Sequence, residues 1–380
     1  MGDEAGSGVS VPFFDWAGLY GERAEEFCRI AHETALRGGF ILQRDVEEFE
    51  QLLAQFLGVR HVIGVADGTN ALLLGLRAAD LPRDAEVILP SHGFIAAAQS
   101  IHFAGGVPIP VELSDHDWLI DPEAIEAAIT PRTRAIMPVH VNGRMCQMDA
   151  IMELADKHGL EVYEDSAQAL GARFDGDAAG CVGRFGTFSF YPSKTLGCFG
   201  DAGALVTNDD ALADRVRRMR NHGANREKVI EIDCNLWGTN CRIDNIHAAI
   251  LKYKLSYYPE AVARRRAIAA KYDEGLRGFA ELALPPAPER GRYFDVFQNY
   301  ELCSPHRDAL RSALASRSIG TIVQWGGFGL HQLRGLGFTQ ELPRTDRFFR
   351  ESLLLPMNHI LTDAQVDHVI AGVRAFFAGR

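Results

Sequence analysis

His61-Val62-Ile63-Gly64-Val65-Ala66 runs straight into Asp67-Gly68-Thr69-Asn70 and then Ala71-Leu72-Leu73-Leu74-Gly75-Leu76. A short apolar run, a tight polar turn and an apolar-periodic run read as strand, loop and helix. The unit recurs outward from there. Strands are predicted at 86–90, 107–111, 134–140, 161–164, 187–191 and 203–207. Helices are predicted at 70–79, 94–104, 121–129 and 148–158 between them. Strands alternating with helices of that length predict a mainly parallel sheet covered on both faces.

The fold expected is therefore α/β: a three-layer sandwich around a mainly parallel seven-stranded sheet, followed by a smaller C-terminal α+β domain. Upstream, apolar spacing predicts a helix over 22–36 that stops at Gly38-Gly39. A second helix over 45–56 places Phe49, Leu52, Leu53 and Phe56 on one face. Beyond 208 helices are expected at 210–221, 245–255 and 259–276, strands at 298–303 and 319–324, and a last helix from Asp363. The division drawn is a large domain over 1–255, with a loose tail over about 1–10, and a small domain over 256–380.

Composition narrows the function classes. Lys and Arg number 39 against 50 Asp and Glu, a net charge of -11, which speaks against nucleic acid or a membrane surface as partner. A local basic pocket for a phosphorylated ligand stays open. The seven cysteines are scattered, odd in number and without a C-x-x-C pair. Neither a disulfide framework nor a metal site is expected, and a reducing, cytoplasmic compartment fits. Met1 to Ser10 is polar and glycine-rich without an apolar core, unlike a signal peptide. No apolar stretch reaches membrane-spanning length.

In such sheets ligands gather at the carboxyl ends of strands, so the residues just after each strand matter most. Gly68 and Thr69 open a helix, where backbone N–H groups, a hydroxyl and the helix dipole make an anion seat. Asp67, Thr69 or Asn70 could equally only cap that helix. Phe94 follows the next strand and could stack on a flat ring, or simply fill core. Asp165 ends an apolar strand, and a carboxylate there is costly to bury without a cation. A protonated pyridine nitrogen would serve as that cation, and capping of the next turn is the plain alternative.

Ser189-Phe190-Tyr191-Pro192-Ser193-Lys194-Thr195-Leu196-Gly197-Cys198-Phe199-Gly200-Asp201-Ala202-Gly203 then presents a lysine in a glycine-studded loop. In a dry pocket such an amine forms a Schiff base with a carbonyl. Ser189 lies five residues earlier, and its hydroxyl could reach a phosphate. An anion, a flat ring, a basic ring nitrogen and an aldehyde are together the features of pyridoxal 5'-phosphate (PLP).

Four segments in order carry a resemblance: Ala66 to Leu72, Glu164 to Gln168, the Ser189-to-Gly203 loop, and Trp237-Gly238-Thr239-Asn240-Cys241-Arg242-Ile243-Asp244. With Gly39-Phe40-Ile41, Phe49-Glu50 and Ser352 to Met357 they resemble the DegT-type nucleotide-sugar aminotransferases, fold-type I PLP enzymes, from about residue 11 to the end. The resemblance implies Lys194 as the Schiff-base lysine and proton carrier, and Asp165 as partner of the pyridine nitrogen. It implies Gln168 beside the ring hydroxyl, Gly68, Thr69 and Ser189 on the phosphate, and Phe94 on the ring. It implies Asn240 on the phosphate of a neighbouring subunit's cofactor, hence a homodimer with shared sites. Tyr191 and His331, the latter in a loose Phe328-Gly329-Leu330-His331 version of a family stretch, are implied substrate contacts. Gly93 stands where the family often has Thr, Ser166 where Ala is usual, and Glu227 to Leu236 departs from the pattern.

The implied reaction passes an amino group from glutamate, through PLP and its pyridoxamine form (PMP), to a keto sugar linked to a nucleotide. Relatives with His at the lysine position are dehydratases, and Lys194 speaks against that chemistry. The residues around Lys194 resemble members that aminate C3. Amination at C4 of a 4-keto-6-deoxy sugar is the alternative. A lyase or a cysteine desulfurase would share the fold, with Cys198 as the nearest candidate nucleophile for the latter.

Overall fold

The structure, a computed structural model, describes residues 9–224, 234–288 and 291–378. The first eight residues of the expected tail, and residues 227–233 of the departing segment, lie outside the described residues. Three helices lead in: α1 (Trp16–Gly21), α2 (Ala24–Leu36) and α3 (Arg44–Leu57). Alternation then begins with β1 (His61–Val65), α4 (Gly68–Ala78), β2 (Glu86–Pro90), α5 (Ile95–Phe103), β3 (Val107–Val111), α6 (Pro122–Ala128), β4 (Thr133–Ile136), α7 (Met148–His158) and β5 (Glu161–Asp165). A small hairpin, β6 (Arg173–Phe174) and β7 (Asp177–Ala178), precedes β8 (Phe185–Ser189) and β9 (Gly203–Thr207).

The seven-stranded sheet has the order β1-β9-β8-β5-β4-β2-β3. Pairing is parallel from β3 across to β8, and β9 alone runs against both its neighbours. The two reversals cancel, so the other six strands end on one side. β2 and β9 are buried at every position, as strands covered on both faces must be. The edge strand β3 carries Pro108 and Pro110, tolerated where no further strand needs their missing N–H.

Successive residues feed opposite cores. Ile63, Val87 and Leu205 pack with Leu72 and Leu76 of α4, Ile101 of α5 and, after β9, Val216 of α8 (Asp210–Met219). Val62, Ile88 and Val206 pack on the other face with Phe49 and Leu53 of α3, Ile151 of α7 and Leu251 of α9 (Asn245–Ser256). Leu52, expected to share that face, is 41% exposed.

α10 (Tyr258–Leu276) joins two cores: Tyr258 and Val262 pack with the sheet, Ile268, Tyr272 and Leu276 with a second cluster. After β10 (Tyr293–Phe294), that cluster gathers β11 (Tyr300–Cys303), α11 (Arg307–Ala315), β12 (Ser352–Leu355) and α13 (Asp363–Ala378), with α12 (Pro343–Glu351) preceding β12. β11 and β12 pair antiparallel. Val11 from the N-terminal segment also packs there, exchanging hydrogen bonds with Ser318 and Gly320. Residues 319–324, expected as a strand, make only isolated bridges, Ile319 to Val11 and Ile322 to Leu354. Left-handed backbone at Trp325 and Gly326 (φ 48° and 73°) turns the chain away directly after them.

Candidate active site

A cavity of about 590 Å³ opens where the carboxyl ends of β1, β5 and β8 converge. Gly68, Thr69, Phe94, Asp165, Gln168, Ser189, Tyr191 and Lys194, eight of the ten residues expected at the site, line it. Residues from well outside the sheet complete the wall: Phe13 and Phe14, Gln298 and Asn299, and Trp325.

The Gly68–Thr69 turn opens α4 at the cavity wall. Asp67 caps α4, its Oδ1 accepting the Asn70 N–H at 2.8 Å. The Gly68 and Thr69 N–H groups have no acceptor among the described residues. The cap therefore leaves two backbone donors of the same turn free for an anion. A Cβ on Gly68 would lie 2.9 Å from that of Ser189, so only glycine brings this turn against the serine. Ser189 Oγ accepts the Tyr191 N–H at 3.3 Å, and its own proton remains to donate.

Asp165 is buried, and its Oδ1 accepts the Ala167 N–H at 3.1 Å. Burial pushes its carboxyl above the usual range, offset in part by the Ala167 N–H, Lys194 and His140. Such a group calls for a cation in front of it. Lys194 faces the same cavity, and its backbone N–H bonds Tyr191 O at 2.8 Å. Burial lowers its amine below the ordinary lysine value, more than Asp165 raises it. A neutral amine is the nucleophilic form.

Gln168 is oriented by a second layer. Its Oε1 accepts the Asn142 N–H at 2.7 Å, which leaves its NH2 for the cavity. Asn142 sits in the left-handed region (φ 60°), held by Glu301 at 2.6 Å and Asn299 at 2.8 Å. Behind Asp165, the fully buried Glu164 accepts from Gly180, Val182 and Gly183 N–H (2.8, 2.8 and 2.7 Å) and faces His140 Nε2 at 2.9 Å. The Cys146 N–H points at His140 Nδ1 (3.1 Å), so the ring proton sits on Nε2 and goes to Glu164.

Phe94, an N-terminal cap position of α5, is 55% exposed and lines the cavity instead of filling core. Asn240 stands outside the lining, on exposed backbone that bridges Asn221. His331 is a correction. It is neither a cavity residue nor a surface one, but a buried tie between Ser91 Oγ (2.6 Å) and Asp346 Oδ1 (2.9 Å). Cys198 is buried away from the lining and burial pushes its thiol up to about 11, the opposite of an activated nucleophile. Among the described residues no three His, Cys, Asp or Glu gather as a metal site. No described helix is long and apolar enough to cross a membrane.

The cavity brings together backbone N–H groups without acceptors, side-chain hydroxyls and an aromatic ring. It sets a depressed-pKa amine against a buried carboxylate. With this sheet it defines an α/β aminotransferase. The chain belongs to the DegT/DnrJ/EryC1/StrS aminotransferase family, whose profile matches residues 22–374. It is 40% identical over 370 residues to dTDP-3-amino-3,4,6-trideoxy-alpha-D-glucose transaminase of Streptomyces venezuelae, covering 96% of this chain and 95% of that one. The crystal structure of S. venezuelae DesV in complex with a ketimine intermediate superposes with a TM-score of 0.91 at 38% identity, over 97% and 98% of the two chains. The structure of ntda from Bacillus subtilis with bound cofactor PMP matches with a TM-score of 0.89 at 27% identity, over 99% and 87%. The family is PLP-dependent.

Proposed function

We propose that this aminotransferase moves an amino group from glutamate to C3 of a keto sugar linked to a nucleotide, with PLP as carrier. The observation that carries the reading is the convergence of Lys194, Asp165 and the Gly68–Thr69 turn on one cavity. These residues fit the cofactor. The two N–H groups without acceptors, Thr69 and Ser189 would hold its phosphate, Phe94 would cover its ring, and Lys194 would anchor its aldehyde. PLP supplies an electron sink when bound. Asp165, buried and in need of a cation, would pair with the ring nitrogen and keep it protonated. Gln168, with its NH2 free, would lie beside the ring hydroxyl. Lys194 Nζ, its pKa lowered by desolvation, takes the proton from the donor's α-carbon and returns it in the reverse half. Tyr191, half exposed at the rim, is a substrate contact.

The name of the S. venezuelae relative, a 3-amino sugar transaminase, supports C3. So does the wording of the lysine loop. A second copy of the chain completes the site. Asp67, Asp165 and Asp201 line the cavity, against one cation, Lys194, among the described residues. Cofactor, glutamate and nucleotide are all anions, so further donors from outside this lining are called for. Asn240 and Trp237, the latter 95% exposed, lie on the segment that would reach across. An active monomer in sedimentation would remove this homodimer. Two packing clusters support the division near residue 256. Seven free thiols support a cytoplasmic setting. The test of function is an amination assay with glutamate and a panel of 3-keto and 4-keto nucleotide sugars. Product from 4-keto sugars alone would overturn C3, and no product from any would overturn the substrate class.

A further inference from the structure

Lys194 is flanked by peptide groups that a single distant side chain holds. Gln298 Oε1 accepts the Thr195 N–H at 2.8 Å, and Gln298 Nε2 donates to Ser193 C=O at 2.7 Å. The assignment of oxygen and nitrogen is fixed by the partners. A flipped amide would set NH2 against N–H and oxygen against oxygen. Gln298 comes from beyond α10, more than a hundred residues from the loop, and is 5% exposed.

Its own backbone is pinned. The buried Arg265 on α10 donates through Nη1 to Phe297 O (3.0 Å), Gln298 O (3.2 Å) and Met357 O (3.1 Å). The far side of the lysine is held as well. Thr195 Oγ1 donates to Tyr258 OH at 2.8 Å, and Tyr258 OH donates to Leu170 O at 2.7 Å. Lys194 Nζ has no hydrogen-bond partner among the described residues, so the set of its backbone weighs heavily on where the amine lies.

We infer that Gln298 is a positioning residue, a clamp that fixes the direction of Lys194 from the C-terminal half of the chain. The inference rests on the proposed role of Lys194. Both bonds hold the peptides on either side of Lys194 and so narrow the range of directions its side chain can take. Without them the loop gains freedom about the Ser193–Thr195 peptides. Misplacement by an ångström is enough to cost about 100-fold in a reaction that depends on alignment.

The test is stopped-flow mixing of apo protein with PLP, following the visible absorbance of the lysine-bound form. It is run on wild type, Gln298→Met and Gln298→Glu, with thermal melts alongside. Met keeps the volume and removes both bonds; Glu keeps the acceptor for Thr195 and repels Ser193 O. The expected result is a rate of colour formation lowered by about 10–100-fold in Gln298→Met. Gln298→Glu falls between it and wild type. kcat falls in parallel while the KM for glutamate stays within about two-fold, a split that loss of binding does not give. Wild-type rates in a folded Gln298→Met overturn the clamp. If the Met variant melts early, Gln298→Glu decides alone, and its wild-type rate overturns the clamp equally. A wild type that takes up no colour overturns instead the role of Lys194, and the clamp's purpose with it.

Discussion

Glu164→Gln is the sharpest single perturbation of the site's foundation. The wild-type carboxylate is fully buried and accepts four hydrogen bonds, two at each oxygen. A glutamine keeps oxygen at the Oε1 position and its bonds to Val182 and Gly183. Its NH2 then meets the Gly180 N–H and the His140 Nε2–H, donor against donor. His140 has no escape through its other tautomer, because Nδ1 faces the Cys146 N–H. Two bonds to a charged acceptor are lost, at about 1.5–3 kcal/mol each. The expected destabilisation is about 3–6 kcal/mol, a large part of a typical total of about 5–15 kcal/mol. Urea unfolding of the apo protein, followed by tryptophan fluorescence and far-UV circular dichroism, measures it. Glu161→Gln on the same strand is the control, because that side chain is 47% exposed with an Arg184 partner at 3.4 Å. It should change stability by no more than about 0.5 kcal/mol. A Glu164→Gln effect below about 1 kcal/mol would refute the reading of Glu164 as the anchor of the 180–183 turn.

Asp165→Asn keeps the acceptor for the Ala167 N–H and removes the charge. It should cut kcat by about 100–1,000-fold while colour still forms with PLP, and near-wild-type turnover would strip Asp165 of its role. The colour-forming rate should rise with pH as the Lys194 amine loses its proton. Desolvation lowers that pKa, so the curve should level off below the ordinary lysine value of 10.5. A midpoint at or above 10.5 contradicts the buried amine.

The sheet was legible because seven runs had the length and apolarity of buried strands. The β6–β7 hairpin was not, since two-residue strands carry no periodicity. Residues 319–324 had strand composition, but their pairing is decided by Val11 and Leu354, which no local pattern announces. The site divides the same way. Gly68, Asp165, Ser189 and Lys194 were readable because each follows or closes a strand, where position in sequence is position in space. Gln298, Asn299 and the Phe13–Phe14 pair reach the cavity only through tertiary packing. His331 misled because a histidine in a familiar stretch says nothing about which way it turns. Its neighbours Ser91 and Asp346 settle that.

The reversed strand β9 has one more consequence. From β1 to β5 a helix carries the chain to each next strand, and an extra residue can bulge out at a surface turn. Between β8 and β9 the ends are paired directly, Ser189 with Gly203. The loop is also stitched inside, Phe190 N–H to Ala202 O and Cys198 N–H to Phe190 O, both at 2.7 Å. Its circumference is therefore fixed. In a library of single-residue insertions, residues 190–202 should form a blank interval, while the α6 and α7 connections accept additions freely. Evolution can repaint this loop one side chain at a time, but it cannot lengthen it.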